Sequence, residues 1–124
     1  MDGRALTALI TDGDTPPVPC PLYTLPTRHR WNRVAGVTLI GDAANLMPPS
    51  GEGANLAMGD GAELETAVVA HPNDVEAALT AYEAAMFPRS ELAAVDAHET
   101  LDLCLGDRAP FGLVEFSTGT ASYK

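Results

Sequence analysis

Residues 37–55, Val37-Thr38-Leu39-Ile40-Gly41-Asp42-Ala43-Ala44-Asn45-Leu46-Met47-Pro48-Pro49-Ser50-Gly51-Glu52-Gly53-Ala54-Asn55, carry an apolar segment into a Gly-Asp step, then two prolines, then two glycines one residue apart. The start, with Gly36 before it, is apolar and rich in β-branched residues, as in a strand buried on both faces. Such a strand needs neighbours. At the carboxyl end of a buried strand the chain emerges where open α/β folds place their ligands. Gly41 lets a ligand approach the backbone without a Cβ in the way, and Asp42 offers an acceptor suited to a sugar or polyol hydroxyl. The prolines stiffen the loop. Gly51 and Gly53 allow successive N–H groups to converge at the start of the helix that follows, whose positive dipole end favours negative charge. The stretch reads as a cradle for something partly anionic. The plainer alternative is a turn, a stiff loop and glycine punctuation. It is neither a dinucleotide fingerprint nor a Walker loop, because the third glycine and the Gly-Lys-Ser/Thr sequence are both missing.

Outward from this stretch, Ala54 to Ala70 predicts a helix of about four turns. After the break at His71-Pro72, Asn73 with Glu76 at its third helical position resembles a capping box opening a second helix. Val75, Ala78, Leu79, Tyr82 and Met86 share one side of it, Tyr82 and Met86 being core candidates. Pro88 is expected to kink that helix before it continues to Gly106. On the amino-terminal side, residues 4–10 read as a short helix with Leu6, Leu9 and Ile10 on one face. The Pro-rich run from Thr15 to Trp31 reads as an extended connection, with a short edge strand over Pro21–Leu25. Residues 107–124 read as a loop-like tail.

The 124 residues fit a single domain, 1–124, with 46% hydrophobic residues and no run long enough to span a membrane. A secretory signal is not expected at the start, which has an acid at position 2 and no basic region, so a cytoplasmic location is. Net charge -10, from 7 basic and 17 acidic residues, repels a phosphate backbone and argues against nucleic-acid binding. Cys20 and Cys104 are expected as reduced thiols. His29, His71 and His98 lack ligand spacing, and no metal site is expected; Asp96, His98, Glu99 and Asp102 read as an exposed charged face rather than a metal cluster. Trp31 with Arg28, Arg30 and Arg33 is open to two readings, a cationic-aromatic ligand patch or a solvated strand entry.

Gly41-Asp42-Ala43-Ala44, Pro48-Pro49, Gly51, Gly53, Asn55, Asp60 and Leu64 together resemble the C-terminal flavin motif of the single-component FAD-dependent aromatic hydroxylases, among them p-hydroxybenzoate hydroxylase-like and tetracycline-inactivating monooxygenases. The first helix, the Pro-Leu-Tyr-Thr-Leu-Pro run, the Trp31-to-Val37 lead-in, Tyr82-Glu83 and Phe87-Pro88-Arg89 extend the likeness over residues 1–110. The resemblance implies an α/β fragment, a few short strands with two or three long helices, helix-dominated, matching the C-terminal part of that FAD-binding fold. It implies that Asp42 accepts from a ribityl hydroxyl of FAD with Gly41 giving clearance, and that Pro48 and Pro49 lie beside the isoalloxazine. Backbone amides over Gly51, Glu52, Gly53, Ala54 and Asn55 would face the N1–C2=O edge, where charge accumulates on reduction. No catalytic side chain is implied. A complete enzyme would use NAD(P)H to hydroxylate an aromatic or polyketide-like small molecule.

Two departures lie inside the motif. Asn45 stands where the family usually has histidine, and the loop at Ser50 is one residue shorter than usual. A third is wider: the sequence has no Gly-x-Gly-x-x-Gly after a strand and no middle Asp-Gly motif, the parts that would hold the ADP half of FAD. FAD affinity of the isolated chain is therefore expected to be weak or absent. The chain is expected to need an N-terminal complementary partner or to form a homo-oligomer, since apolar faces rarely stay bare. A non-catalytic dimerising or partner-binding module that retains the fold without flavin is the alternative.

Overall fold

The computed structural model describes residues 3–119, which form five helices in chain order: α1 (Gly3–Thr11), α2 (Asp42–Asn45), α3 (Gly53–Ala70), α4 (Val75–Leu105) and α5 (Phe111–Ser117). α3 and α4 pack against each other, and α5 folds back on α4. α3 stops where His71 leaves helical geometry and Pro72 can no longer extend the ladder. α4 begins one residue later than the capping pattern suggests: Asp74 is the N-cap, and its carboxylate accepts from the Ala77 amide at 2.9 Å. Glu76 instead reaches sideways, accepting from the Gly36 amide and from Arg33. The helix continues through Pro88 as one 31-residue element.

The core is small. Ala44 from α2 meets Tyr82 and Met86 from α4, with Trp31, Leu39, Leu64, Ala67 and Phe87 packed around them. α1 forms as expected, but Leu9 and Ile10 are largely exposed, and the Leu6 side chain of the expected face lies outside the described residues. The tail is corrected in part: Phe111–Ser117 is helical, seated where buried Gly112 comes up against Leu103, and Arg108 pairs with Glu115 at 2.7 Å. The preceding Pro110 and the internal glycine mask this helix in the sequence. Residues 120–124 lie outside the described part.

The two expected strands do not form ladders. Pro21–Leu25 stays extended without pairing, apart from the Leu25 amide donating to the Leu46 carbonyl at 2.8 Å. Around Gly36–Ile40 an isolated antiparallel bridge joins Val34 and Val37, and among the described residues no second strand lies alongside. The reason is physical, since a strand is defined by its partner's backbone groups and the described residues supply none. No helix among them is long and apolar enough to cross a membrane.

Tyr82 shows how tightly the extended segment is held. Its side chain is buried, and its hydroxyl donates to the Leu39 carbonyl at 3.1 Å. Burial, reinforced by the charge of Asp60, pushes the phenol well above its ordinary value of 10.0. A raised folded-state value means that the native state keeps a proton which the unfolded chain releases above pH 10. The corresponding stability is present below pH 10 and falls as pH rises, with a slope of up to about 1.4 kcal/mol per pH unit. Tyr82→Phe is expected to lower stability near pH 7 by about 1 kcal/mol through the lost hydrogen bond, and to flatten the decline above pH 10. Urea melts at pH 7, 10 and 11 check this; equal slopes in the two proteins would disprove it.

Candidate functional site

The extended residues lead into a backbone turn fixed from beneath. Thr38 donates to Glu83 and Leu39 accepts from Tyr82, so the segment reaches Gly41 against α4. Gly41 has φ 59°, a left-handed conformation that a side chain resists, and a Cβ there would stand 3.3 Å from that of Ala57 in α3. Its amide donates to Asp60 Oδ2 at 2.8 Å, and its carbonyl accepts from Ala44 and Asn45, closing the single turn of α2. Asp42, in that turn, is exposed, and among the described residues no hydrogen bond or ion pair engages its carboxylate.

Asp60 holds this turn. It is fully buried within α3 and accepts from Gly41, from Asn45 Nδ2 at 3.0 Å and from Arg89 of α4 at 2.5 Å. Arg89 also pairs with Glu63, one turn further along α3. Burial works against the charge on Arg89, but its hydrogen bond and charge contact with Glu63, together with Asp60, outweigh that and raise its pKa. Asn45 turns its amide both to Asp60 and to Ser90 Oγ at 3.3 Å. The amide thus ties α2 to α3 and α4 at once.

Beyond α2 the loop runs through Pro48, which is buried, and Pro49, which is exposed. Gly51 has φ 88° with open space where a Cβ would lie, so the backbone and not crowding calls for glycine. Glu52 is the N-cap of α3 but makes no capping hydrogen bond; its carboxylate takes the Asn55 side chain at 3.1 Å. Gly53, Ala54 and Asn55 are exposed. The first amides of α3 therefore face solvent uncapped, at the end of the helix where partial positive charge collects.

The Trp31 and arginine cluster is engaged by the chain's own carboxylates, Arg28 and Arg30 at the surface and Arg33 more deeply. Trp31 Nε1 and Arg33 donate to Glu83, while Arg28 and Arg30 pair with Glu91, Arg30 lying over Phe87. Glu83 is buried and receives three donors. His98 and Asp102 border a groove of about 300 Å³ with Leu22, Leu101, Leu105 and Gly106. Among the described residues no group of three or more His, Cys, Asp or Glu side chains is arranged to hold a metal. Cys20 and Cys104 are free and exposed.

Sequence reasoning placed Asp60 and Arg89 within the resemblance without giving them a role. The available signal was Asp60 and Glu63, three residues apart and so on one face of an otherwise Ala-rich helix, in a chain with only 7 basic residues to meet them.

Beyond this geometry, the chain belongs to the FAD binding domain family, whose model matches residues 26–97. Two relatives are a hydroxylase and a monooxygenase. The chain is 43% identical over 63 residues to the FAD-dependent urate hydroxylase of Mycolicibacterium vanbaalenii, a match covering 50% of this chain and 16% of that enzyme. It is 45% identical over 65 residues to the kynurenine 3-monooxygenase of Salinispora arenicola, covering 52% of this chain and 14% of that one. The chain thus matches less than one fifth of the length of either relative.

Proposed function

We propose that residues 41–55 hold the central part of FAD in a flavin-dependent monooxygenase, with the fold corresponding to the C-terminal portion of the aromatic hydroxylase FAD-binding domain. The supporting observation is the uncapped start of α3 beside a Gly41 turn that Asp60 fixes. The arrangement fits the cofactor in chemistry: the amides of Gly53, Ala54 and Asn55 are free to donate to the ring edge that gains negative charge, and the Asp42 carboxylate is free to accept from a ribityl hydroxyl. Gly51 leaves no Cβ on the approach, whereas Gly41 is buried and its missing Cβ makes room for Ala57 of α3. Of the two prolines only Pro49 presents surface to a ligand, because Pro48 is buried. When bound, FAD supplies the oxygen chemistry: NAD(P)H, O₂ and a proton enter with an aromatic substrate, and the hydroxylated product, NAD(P)⁺ and water leave. The chain's own residues bind, orient and polarise.

The large exposed apolar side chains support a second reading, a partner-binding module that keeps the fold without the cofactor. Titrating FAD into the Mycolicibacterium urate hydroxylase with its matched segment replaced by the corresponding residues of this chain, and following flavin fluorescence, separates the two, because the rest of that enzyme supplies the parts this chain lacks. Binding that Asp42→Ala weakens by about tenfold, as one lost charge-assisted hydrogen bond requires, supports the flavin site. No binding up to millimolar FAD, or binding indifferent to the substitution, assigns the second reading.

A further inference from the structure

We infer that Glu52 tunes the flavin site: its carboxylate, held at the mouth of α3 by Asn55, opposes the negative charge that the cofactor ring gains on reduction. The inference rests on the flavin reading above. Glu52 is the N-cap of α3, a position where a side-chain oxygen ordinarily turns back and accepts from the first helical amides. Here it does not. The Glu52 backbone is already helical, φ -94° and ψ -8°, rather than extended as in most capping residues, and its side chain makes no capping hydrogen bond. Oε2 instead accepts from Asn55 Nδ2 at 3.1 Å. The amides that Glu52 could satisfy are left for a ligand, and a full negative charge is fixed within one turn of them. The FAD binding domain model spans this turn and supplies the ligand that helix geometry alone does not name.

The two features act in opposite senses on an anion at the helix start. The helix dipole amounts to about half a positive charge there, whereas the carboxylate carries a whole negative one. Every ion pair among the described residues lies elsewhere, so no cation among them offsets Glu52. Glu52 is exposed, and water and salt therefore screen its charge. Hydride transfer from NAD(P)H leaves NAD(P)⁺ and brings two electrons and one proton to the ring, a net gain of one negative charge. A carboxylate beside the site disfavours that product relative to oxidised FAD. It lowers the reduction potential and so favours passage of the electrons onward to O₂.

The test measures the reduction potential of FAD, by equilibration with a reference dye, in the urate hydroxylase chimera of the titration above and in its Glu52→Gln and Asn55→Ala variants. Glu52→Gln removes the charge and keeps the shape and an acceptor for Asn55. It is expected to strengthen the hold on reduced FAD about tenfold relative to oxidised FAD, which for a two-electron couple raises the potential by about 30 mV. Asn55→Ala keeps the charge but frees it to swing into water, so a smaller rise is expected. The Glu52→Gln shift should shrink as salt goes from about 0.1 M to about 1 M, because the screening length falls from about 10 Å to about 3 Å. A merely structural role would not respond to salt in this way, and the thermal melt of Glu52→Gln should match that of the parent chimera. FAD bound with an unchanged or lowered potential in Glu52→Gln, or with a shift equal at both salt concentrations, overturns the inference while the flavin reading stands. A chimera that binds no FAD overturns the flavin reading and this inference with it.

Discussion

Arg89→Ala is expected to cost about 3–5 kcal/mol of folding free energy, because it leaves a fully buried carboxylate without its counter-charge. Asp60 is 0% exposed. In the variant it would keep only the Gly41 amide and the Asn45 side chain as donors. Those are neutral dipoles, and they do not replace a guanidinium in compensating a desolvated anion. The Arg89 side chain is 28% exposed, so water can enter after truncation and the lower end of the range is expected. Even that is a large share of the 5–15 kcal/mol by which an ordinary domain is stable. Asp60→Asn removes the charge that needs Arg89, so the double variant should fall short of the sum of the single effects by about 1–3 kcal/mol. Urea denaturation followed by circular dichroism measures all three. A loss below about 1 kcal/mol for Arg89→Ala, or strict additivity, would show that the pair is not a coupled buried unit.

The same comparison explains which parts of the molecule the sequence revealed. α3 and α4 were legible because their signals are local: Ala-rich composition, the His71-Pro72 break, and apolar spacing that places Tyr82 and Met86 together. Gly41, Asp42 and Gly51 were legible as a loop of special geometry, since positive φ at glycine leaves a mark in residue type. Residues 36–40 read in the sequence as a strand buried on both faces, whereas in the fold the only pairing among the described residues there is the Val34–Val37 bridge and Val37 and Ile40 are exposed, because the partner backbone is not among the described residues. The roles of Asp60 and Glu83 were not legible. Nothing in the local pattern distinguishes a mid-helix carboxylate facing solvent from one facing a guanidinium far along the chain. Pairing over such separations is decided by how α3 and α4 pack, and that information is not local. Of the two readings open for the arginine cluster, the solvated one fits Arg28 and Arg30, which pair with Glu91 at the surface, while only Arg33 is drawn in to Glu83.

Glu83→Ala is expected to cost about 3 kcal/mol and to release the segment that leads into the site. Glu83 is 4% exposed, and its Oε1 accepts from Trp31 Nε1 at 3.1 Å, Arg33 at 2.8 Å and Thr38 Oγ1 at 2.8 Å. Truncation leaves Trp31 Nε1 and Thr38 Oγ1 short of an acceptor, and Arg33, 23% exposed, keeps the Val37 carbonyl and Glu76 but loses its most buried counter-charge. Glu83→Gln keeps an acceptor oxygen and loses only the charge, so about 1–2 kcal/mol is expected from it. Trp31 is the one tryptophan of the chain, and it lies edge-on to Phe87 at 4.8 Å. Tryptophan emission therefore reports the surroundings of Trp31, among them Phe87, His29 and Glu83. In Glu83→Ala the emission should shift to the red at urea concentrations where circular dichroism still shows intact helices. In the parent protein the two probes should move together, as a cooperative domain requires. If the emission of the variant stays with the helical signal, the segment from Trp31 to Thr38 is held by its apolar contacts with α4, and Glu83 does not anchor it.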